Sequence, residues 1–415
     1  MTQPALSDLL RVFGRIGLLS FGGPAAQIAL MHRELVDTRP WLTERQFLNA
    51  LSFCMLLPGP EAMQLATYAG WRLRGVPGGL IAGGLFVLPG AIVVGVLAAL
   101  YAQFGQVPLV EALFLGIKAT VVVIVIEALL KVARRALTGA DRWAIAGLSF
   151  LGIFALSLPF PVIILLAAAW GALTGRGSAE AAPPRARANT PATVATWLLA
   201  WWAPVAALWV AGAERLVEIG LFFSKLAVVT FGGAYAVLAY VTQEVVQDRG
   251  WLSTAQMMDG LGLAETTPGP LILVTEFVGY LAGHQSGGWA PGLAAALLTL
   301  WVTFVPCFLW IFAGAPYIEW ISTRPRLTGA LTAITAAVVG VILNLSLWFG
   351  LHVFFADVRR FETGPLSLLY PTPGSADMAA VALALLAAAL LLWRHWPLPG
   401  VLCLTALAGA GLSPF

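Results

Sequence analysis

The stretch Leu51–Gln64, LSFCMLLPGPEAMQ, places two prolines around a glycine inside a long apolar run. Proline removes a backbone N–H and clashes with the preceding turn of a helix, while glycine releases the backbone from its usual restraints. A continuous helix through Pro58-Gly59-Pro60, the first PGP motif, is therefore disfavoured. What this break does depends on whether it lies in water or in a membrane.

The composition of the whole chain answers that question. Its 415 residues are 60% hydrophobic and 10% charged, with a mean hydropathy of +0.87. A soluble domain carries about 25% charged residues, so lipid must cover much of this surface. We therefore expect an all-α polytopic membrane protein. The net charge of +3 is too small to indicate a nucleic-acid partner.

Apolar runs long enough to cross a bilayer recur along the chain. A spanning helix needs about 20 mostly apolar residues. On this scale about thirteen spans are predicted, near residues 9–31, 46–71, 78–102, 109–131, 142–158, 160–175, 197–213, 217–243, 255–283, 291–314, 327–354, 377–393 and 397–412. Between 175 and 193 the sequence becomes rich in Ala, Pro, Gly and Arg, which is typical of a disordered connection.

Positive charges predict the orientation of these spans. With a cytoplasmic N-terminus and thirteen spans, fifteen Lys and Arg residues fall on the cytoplasmic side and six outside. Cytoplasmic loops carry the excess of Lys and Arg in membrane proteins. We therefore expect a multi-pass protein with a cytoplasmic N-terminus and an external C-terminus.

The opening motif recurs 210 residues later as Pro268-Gly269-Pro270, the second PGP motif. The same offset joins the first FGG motif, Phe21-Gly22-Gly23, to the second, Phe231-Gly232-Gly233. An ungapped comparison of 13–60 with 223–270 gives 16 identities in 48 positions. Such an identity is several times what chance would give, so the sequence contains an internal repeat.

The repeat predicts two homologous halves, 1–175 and 217–415, separated by a linker and connecting helix at 176–216. Seven predicted spans separate the starts of the two halves. Because an odd number reverses the direction of the second copy, we expect inverted-topology repeats, a pattern common in secondary transporters.

The four motifs predict broken helices inside the membrane. Unpaired backbone groups at membrane depth persist only where protein or a water-lined cavity surrounds them. The start of a half-helix presents free N–H groups and about half a positive charge, which suits an anion. The alternative is that Gly and Pro only kink or pack the helices. The recurrence of both breaks favours an anion site.

Charged residues within the spans indicate the same chemistry. Arg15 and Lys225 are equivalent, each six residues before its FGG motif, and Lys118 lies deeper in its span. Intramembrane charges are costly and are usually functional. Arg15 and Lys225 could instead reach the interface from a helix end, and Lys118 could pair with Glu111 or Glu127.

Acidic residues lie beside the PGP motifs. Glu61 follows the first, while Glu265 precedes and Glu276 follows the second. These carboxylates could take up a coupling ion, or they could accept hydrogen bonds from freed backbone N–H groups. Glu34 and Glu244, each followed by Arg and Trp at matched spacing, are expected to hold interfacial loops.

At these residues the sequence resembles the chromate ion transporter family, in its long two-domain form. The matching stretches are LLSFGGPAAQIALM at 18–31, LPGPEAMQLATYAGW at 57–71, VTFGGAYAVL at 229–238 and TTPGPLILVTEFVGY at 266–280. The resemblance implies a carrier for chromate in the cytoplasmic (inner) membrane that confers resistance by efflux, with sulfate as a close analogue.

By that resemblance the substrate-binding positions are those of the motifs: Phe21, Gly22, Gly23, Pro24, Pro58, Gly59, Pro60, Gln64, Phe231, Gly232, Gly233, Pro268, Gly269 and Pro270. The second half departs from the first at Ala234, where the first has Pro24, and at Val274, where the first has Gln64. These differences argue against equal roles for the two halves.

Other classes of function remain open to comparison. A sulfate or related oxyanion uptake carrier would have the same architecture, and a channel would differ in its turnover. An intramembrane enzyme is disfavoured because no Ser/His pair, Cys/His pair or HExxH-like helix falls in the spans. The three cysteines and four histidines form no ligand pattern, so no metal or cofactor is expected. A homodimer is compatible with the sequence.

Overall fold

A computed structural model describes residues 4–21, 23–55, 57–175, 190–229, 231, 234–317, 324–364 and 366–412. Within these ranges the chain is almost entirely helical, as its composition predicts. The site candidates Gly22, Gly232 and Gly233 lie outside the described residues, as does most of the expected connection. The end of that connection is helical, because a helix begins at Thr190.

The part of the chain before the connection forms seven helices within the described ranges. They are α1 (Leu6–Leu19), α2 (Gly23–His32), α3 (Glu44–Cys54), α4 (Glu61–Phe104), α5 (Pro108–Ala136), α6 (Ala140–Phe154) and α7 (Phe160–Thr174). A π-helical turn, Arg33–Thr38, follows α2 directly.

The later part contains further helices and one hairpin. The helices are α8 (Thr190–Val210), α9 (Glu214–Val229), α10 (Ala234–Thr242), α11 (Thr254–Thr266), α12 (Val274–His284), α13 (Trp289–Gly314), α14 (Pro325–Phe354), α15 (Met378–Ala388) and α16 (Leu398–Leu412). Short 3₁₀ turns occupy Leu271–Leu273, Ala315–Tyr317 and Pro373–Ser375, and π-helical turns occupy Gln243–Asp248 and Ala389–Trp393.

Helices end and restart at the glycine motifs. The first FGG motif separates α1 from α2, the first PGP motif separates α3 from α4, and the second PGP motif follows α11. Gly23, Gly59 and Gly269 have φ of +76°, +117° and +91°. L residues with a side chain rarely adopt such values, so glycine is required at each turn. The predicted interruptions are confirmed at these three motifs.

Local structure recurs at the offset of 210 residues. The π-helical turns Arg33–Thr38 and Gln243–Asp248 match in this register. Each is closed by an ion pair: Arg39 Nη1 lies 2.5 Å from Glu34 Oε2, and Arg249 Nε lies 3.3 Å from Glu244 Oε2. The expectation that Glu34 and Glu244 hold loops is therefore confirmed.

Five helices in the described ranges are long and apolar enough to cross a membrane: Glu61–Phe104, Pro108–Ala136, Thr190–Val210, Trp289–Tyr317 and Pro325–Phe354. The longest is bent at Arg74 and Gly75, where Gly75 has φ +65°. It therefore contains the end of one predicted span and all of the next. Several other predicted spans consist of two shorter helices joined at a motif. The number of spans and their inverted arrangement stay predictions.

A β-hairpin departs from the all-α expectation. Strands β1 (Val358–Thr363) and β2 (Leu366–Pro371) pair antiparallel, with Val358 opposite Pro371. Val358, Phe361 and Tyr370 are residue types that favour strands, and Gly364 takes a φ of +60° at the turn. The hairpin lies between two predicted spans. It therefore forms part of the connection between them and interrupts neither span.

The chain divides into two compact units, each drawing on both sides of the connection. The first unit comprises Met1–Ala99, Arg176–Val237 and Thr267–Thr328. The second comprises Leu100–Gly175, Leu238–Thr266 and Gly329–Phe415. The first FGG motif and both PGP motifs belong to the first unit.

Candidate functional site

The first FGG motif and the second PGP motif meet in the first unit. Where α1 ends, the carbonyl of Ser20 accepts a hydrogen bond from the backbone N–H of Gly269 at 2.9 Å. The Gln27 side chain, 1% exposed, donates through Nε2 to the carbonyl oxygens of Gly269 (2.7 Å) and Ser20 (3.3 Å). Two breaks that are 249 residues apart in sequence (269 − 20) therefore satisfy each other's backbone groups.

The later part of α4 packs directly on this junction. A Cβ at Gly90 would overlap the carbonyl oxygen of Pro268, and one at Gly17 would overlap the carbonyl oxygen of Leu85. Only glycine lets these backbones come so close. Small residues are what allow helices to approach closely in membranes. Helices α1 and α4 and the second PGP motif therefore form one tightly packed junction.

The first PGP motif is held by its own helix. Gln64 is fully buried, and its Nε2 donates to the carbonyl oxygen of Pro58 at 2.7 Å. A Cβ at Gly59 would lie 2.8 Å from Gln64 Nε2 and 2.9 Å from Cys307 Sγ. The predicted site residue Gln64 thus braces the break.

Each of the two bracing glutamines has a side-chain oxygen that makes no hydrogen bond to the described residues. The Oε1 atoms of Gln27 and Gln64 are buried and have no hydrogen-bond partner among the described residues. A buried amide oxygen without a partner costs about 1–3 kcal/mol. Such atoms are satisfied when water, or a ligand that carries a donor, enters the site.

Besides α10, which is divided between the two units, three helical segments begin at the motifs: α2 at Gly23, α4 at Glu61, and the turn leading into α12 at Leu271. The first N–H groups of a helix have no partner within it and carry partial positive charge. The first turns of α4 and α12 contain Glu61 and Glu276, whereas that of α2 contains no acidic residue. The start of α2 is therefore electrostatically the most favourable of the three for an anion.

The equivalent cations Arg15 and Lys225 both have exposed side chains in the first unit. Arg15 is 62% exposed at its side chain, with Nη1 3.8 Å from Glu34 Oε1. Lys225 is exposed on α9. Arg15 thus takes part in the ion-pair group that holds the loop after α2.

Lys118 forms a buried ion pair in the second unit. Its Nζ lies 3.2 Å from Asp259 Oδ1, and the hydroxyl of Tyr101 donates to Asp259 Oδ2 at 2.6 Å. The partners expected for a structural pair, Glu111 and Glu127, were wrong, and Glu127 pairs with Lys131 instead. Lys118 is thus already compensated by an anion.

The three candidate coupling acids lie in different settings. Glu61 is half-buried at the start of α4, Glu265 is buried near the end of α11 in the second unit, and Glu276 is buried in the first turn of α12. Within the described ranges no three His, Cys, Asp or Glu side chains come together as a metal site would require.

Sequence reasoning missed Gln27, Asp259 and Tyr101. Gln27 and Asp259 are isolated polar residues within apolar helical runs, and their counterparts 210 residues away are Val237 and Asn49. A buried polar residue in an apolar run is a signal by itself, because its burial needs a partner. The partners, however, come from distant helices and cannot be identified from spacing.

Comparisons with known proteins identify relatives along the whole chain. The family model for chromate transporters matches residues 7–172 and 217–412. A "Chromate transport protein" of Pseudomonas aeruginosa is 32% identical, over 95% of this chain and 93% of that protein. One from Cupriavidus metallidurans is 30% identical, over 81% and 80%. A "Probable chromate transport protein" of Synechococcus elongatus is 28% identical, over 88% and 89%.

No solved structure matches the chain. The family match nevertheless covers both stretches that carry the FGG and PGP motifs, and the similarity to the Pseudomonas aeruginosa protein extends over nearly the full length of each chain. This multi-pass membrane protein therefore belongs to the chromate transporter family.

Proposed function

We propose that this protein exports chromate across the cytoplasmic membrane and thereby confers resistance to it. The observation that carries the proposal is the junction of Ser20, Gln27 and Gly269, which joins two interrupted helices in the first unit. Chromate is a tetrahedral dianion, and starts of helices supply the N–H donors that such an anion needs. The names of the relatives supply the substrate.

In this proposal the dianion contacts the backbone of the motifs near the bilayer midplane, with α2 as the principal donor helix. Arg15 and Lys225 add positive charge where the anion enters or leaves. Lys118 would have to leave Asp259 to take part, and so it contributes least. Two inverted halves, with the N-terminus in the cytoplasm, would place the site between the two aqueous phases.

The membrane potential is sufficient to drive export. Moving one charge across the membrane is worth about 2.3 kcal/mol per 100 mV. A dianion that leaves a negative interior unaccompanied is therefore favoured by about 4.6 kcal/mol at 100 mV, roughly 2,000-fold accumulation outside at about 1.36 kcal/mol per decade, and one co-transported proton would halve this free energy. Uptake against the same potential would need more than two co-transported positive charges.

Inside-out membrane vesicles test the direction. Radiolabelled chromate is added outside, a positive-inside potential is imposed without a pH gradient, and sulfate is the competitor. We expect chromate to enter the vesicles with saturable kinetics, and vesicles lacking the protein to show only leakage. If chromate uptake does not respond to the potential and requires an opposing sulfate gradient, the protein exchanges the two anions, and potential-driven export is wrong.

A further inference from the structure

Glu276 is a buried carboxyl group for which the described residues supply no partner. The residue is 4% exposed, and its Oε2 has no hydrogen-bond partner among the described residues. Its Oε1 faces Gly95 of α4, where a Cβ would approach to 2.9 Å. The absence of a side chain at Gly95 is what makes room for the carboxyl group. No ion pair to Glu276 is formed within the described part of the chain.

Neither α13 nor the part of α4 around Gly95 contains a charged residue that could compensate a carboxylate at Glu276. Helix α13 contains no Asp, Glu, Lys, Arg or His, and its Thr299 hydroxyl, buried and without a partner among the described residues, meets α12 at Gly279. Around Gly95, residues 85–99 of α4 contain no charged residue. The titratable groups of α12, α13 and α9 besides Glu276 are Tyr280, His284, Cys307, Glu214, Arg215, Glu218 and Lys225.

Neither of the two cationic residues of α9 forms an ion pair with Glu276 in the described part of the chain. Arg215 lies 3.0 Å from Glu218 and donates to the carbonyl oxygen of Ala282, six residues beyond Glu276. Lys225 has an exposed side chain. A carboxylate at Glu276 would therefore be buried with little compensation, which is costly.

The carboxyl group belongs to one half of the repeat only. The residue 210 positions earlier is Ala66, which is fully buried. A requirement of the broken helix itself would apply to both halves. Glu276 is therefore not needed to form the break itself.

Glu276 is also close to the second PGP motif. Gly90 of α4 contacts the carbonyl of Pro268, and Gly95 contacts the carboxyl group of Glu276. Five residues of α-helix separate Gly90 from Gly95, a rise of about 7.5 Å. At this distance in a medium of low dielectric, a carboxylate and a dianion repel each other strongly.

We propose that Glu276 is the proton-binding residue of this carrier, and that a proton and the oxyanion occupy the first unit together. The inference rests on the proposed chromate transport. An O–H bond forms at Glu276 from a proton of the aqueous phase that supplies the anion. It breaks when both leave on the other side, and the proton returns to water. Each dianion then moves with one proton, so that one net negative charge crosses.

The test combines binding and charge stoichiometry in the purified, full-length protein, with chromate as the probe, over a pH range in which chromate stays a dianion. Wild-type affinity should fall by up to about tenfold per unit rise in pH, as linkage to one proton requires. Glu276→Gln imitates the protonated state, so its affinity should not depend on pH. Glu362→Gln, the same change on the exposed strand β1, should behave as wild type.

In proteoliposomes the reversal potential of chromate flux gives the charge moved per anion. We expect one net charge for wild type and for Glu362→Gln, and two for Glu276→Gln. Loss of chromate binding in Glu276→Gln at every pH would overturn the proposal, because a neutral group should be tolerated. Unchanged pH dependence in that variant would overturn it too. If the wild type neither binds nor moves chromate, it is the proposed substrate that fails.

Discussion

The two PGP motifs have the same backbone break and different supports. Pro58-Gly59-Pro60 is braced by Gln64, from the helix that starts at the break itself. Pro268-Gly269-Pro270 is braced by Gln27, which belongs to the other half and bridges to Ser20 as well. The repeated motif thus fixes where the helices break, while unrepeated side chains decide what each break is attached to. The two breaks are therefore no longer equivalent in what supports them.

The largest effect on chromate transport is expected from replacing the glycine of either PGP motif. Gly269→Val and Gly59→Val force a β-branched residue into φ of +91° or +117°, at a cost of about 1–3 kcal/mol for the backbone alone. Each should abolish chromate transport in vesicles without lowering the amount of protein in the membrane. Gly84→Val is the matched control, since a Cβ there meets nothing within 4 Å and its φ is not positive.

Normal transport in both variants would show that neither break forms part of the path. Loss in only one of them would sharpen the comparison, because it would show which half-site handles the anion.

The second effect is a loss of stability, expected when the Asp259 ion pair of α11, the helix before the second PGP motif, is broken. Asp259 of α11 is replaced by Asn49 in the first half, and the buried Asp259 forms an ion pair with the partly buried Lys118. Removing one partner leaves an uncompensated buried charge, which costs about 3–5 kcal/mol. Thermal unfolding in detergent should therefore show that the single variant Lys118→Met is strongly destabilised.

The double variant Lys118→Met with Asp259→Leu distinguishes a structural ion pair from a substrate contact. A structural pair predicts that the double variant regains most of the stability and transports chromate. If stability returns while transport stays absent, Lys118 contacts the substrate.

A smaller difference is expected between the two glutamine braces. Gln27→Leu removes hydrogen bonds to two carbonyl groups, and Gln64→Leu removes one. The carbonyl of Ser20 keeps the N–H of Gly269, so each variant leaves one buried carbonyl without a partner, at about 1–3 kcal/mol, and Gln27→Leu loses one further hydrogen bond. The free energy of unfolding should therefore fall further in Gln27→Leu. Equal losses would mean that water replaces one of the bonds to Gln27.

The smallest effect is the pH dependence of stability that His32 contributes in the first half. His32 lies 2.6 Å from Glu44 and 3.3 Å from Asp37, whereas its counterpart is Thr242. The hydrogen bond to Glu44 raises the pKa of His32 above its usual value. The stabilisation is therefore fully present below about pH 6.5 and is lost as the pH rises through the raised value.

Thermal unfolding of wild type and His32→Gln at several pH values measures this contribution. The two curves should differ most on the acidic side and converge on the alkaline side. A difference that grows with rising pH would contradict the assignment.

Much of the architecture follows from the sequence, because apolar length and helix-breaking residues are local properties. The breaks at Gly23, Gly59 and Gly269 and the loop-holding role of Glu34 and Glu244 could be predicted in this way. The hairpin could not, because residues 358–371 lie between apolar runs, where the sequence predicts only a connection. The contacts of Gln27 with Gly269 and of Lys118 with Asp259 depend on long-range packing, which no spacing encodes.

The hydrogen bond between Ser20 and Gly269 also has a consequence for how the protein is made. The 249 residues between them (269 − 20) take roughly 12–50 s to synthesise at about 5–20 residues per second. During that time the end of α1 is already made while its partner is still missing. The membrane insertion machinery therefore has to shelter an unfinished junction, and a chain that is stopped before Gly269 should be a preferred substrate for membrane proteases.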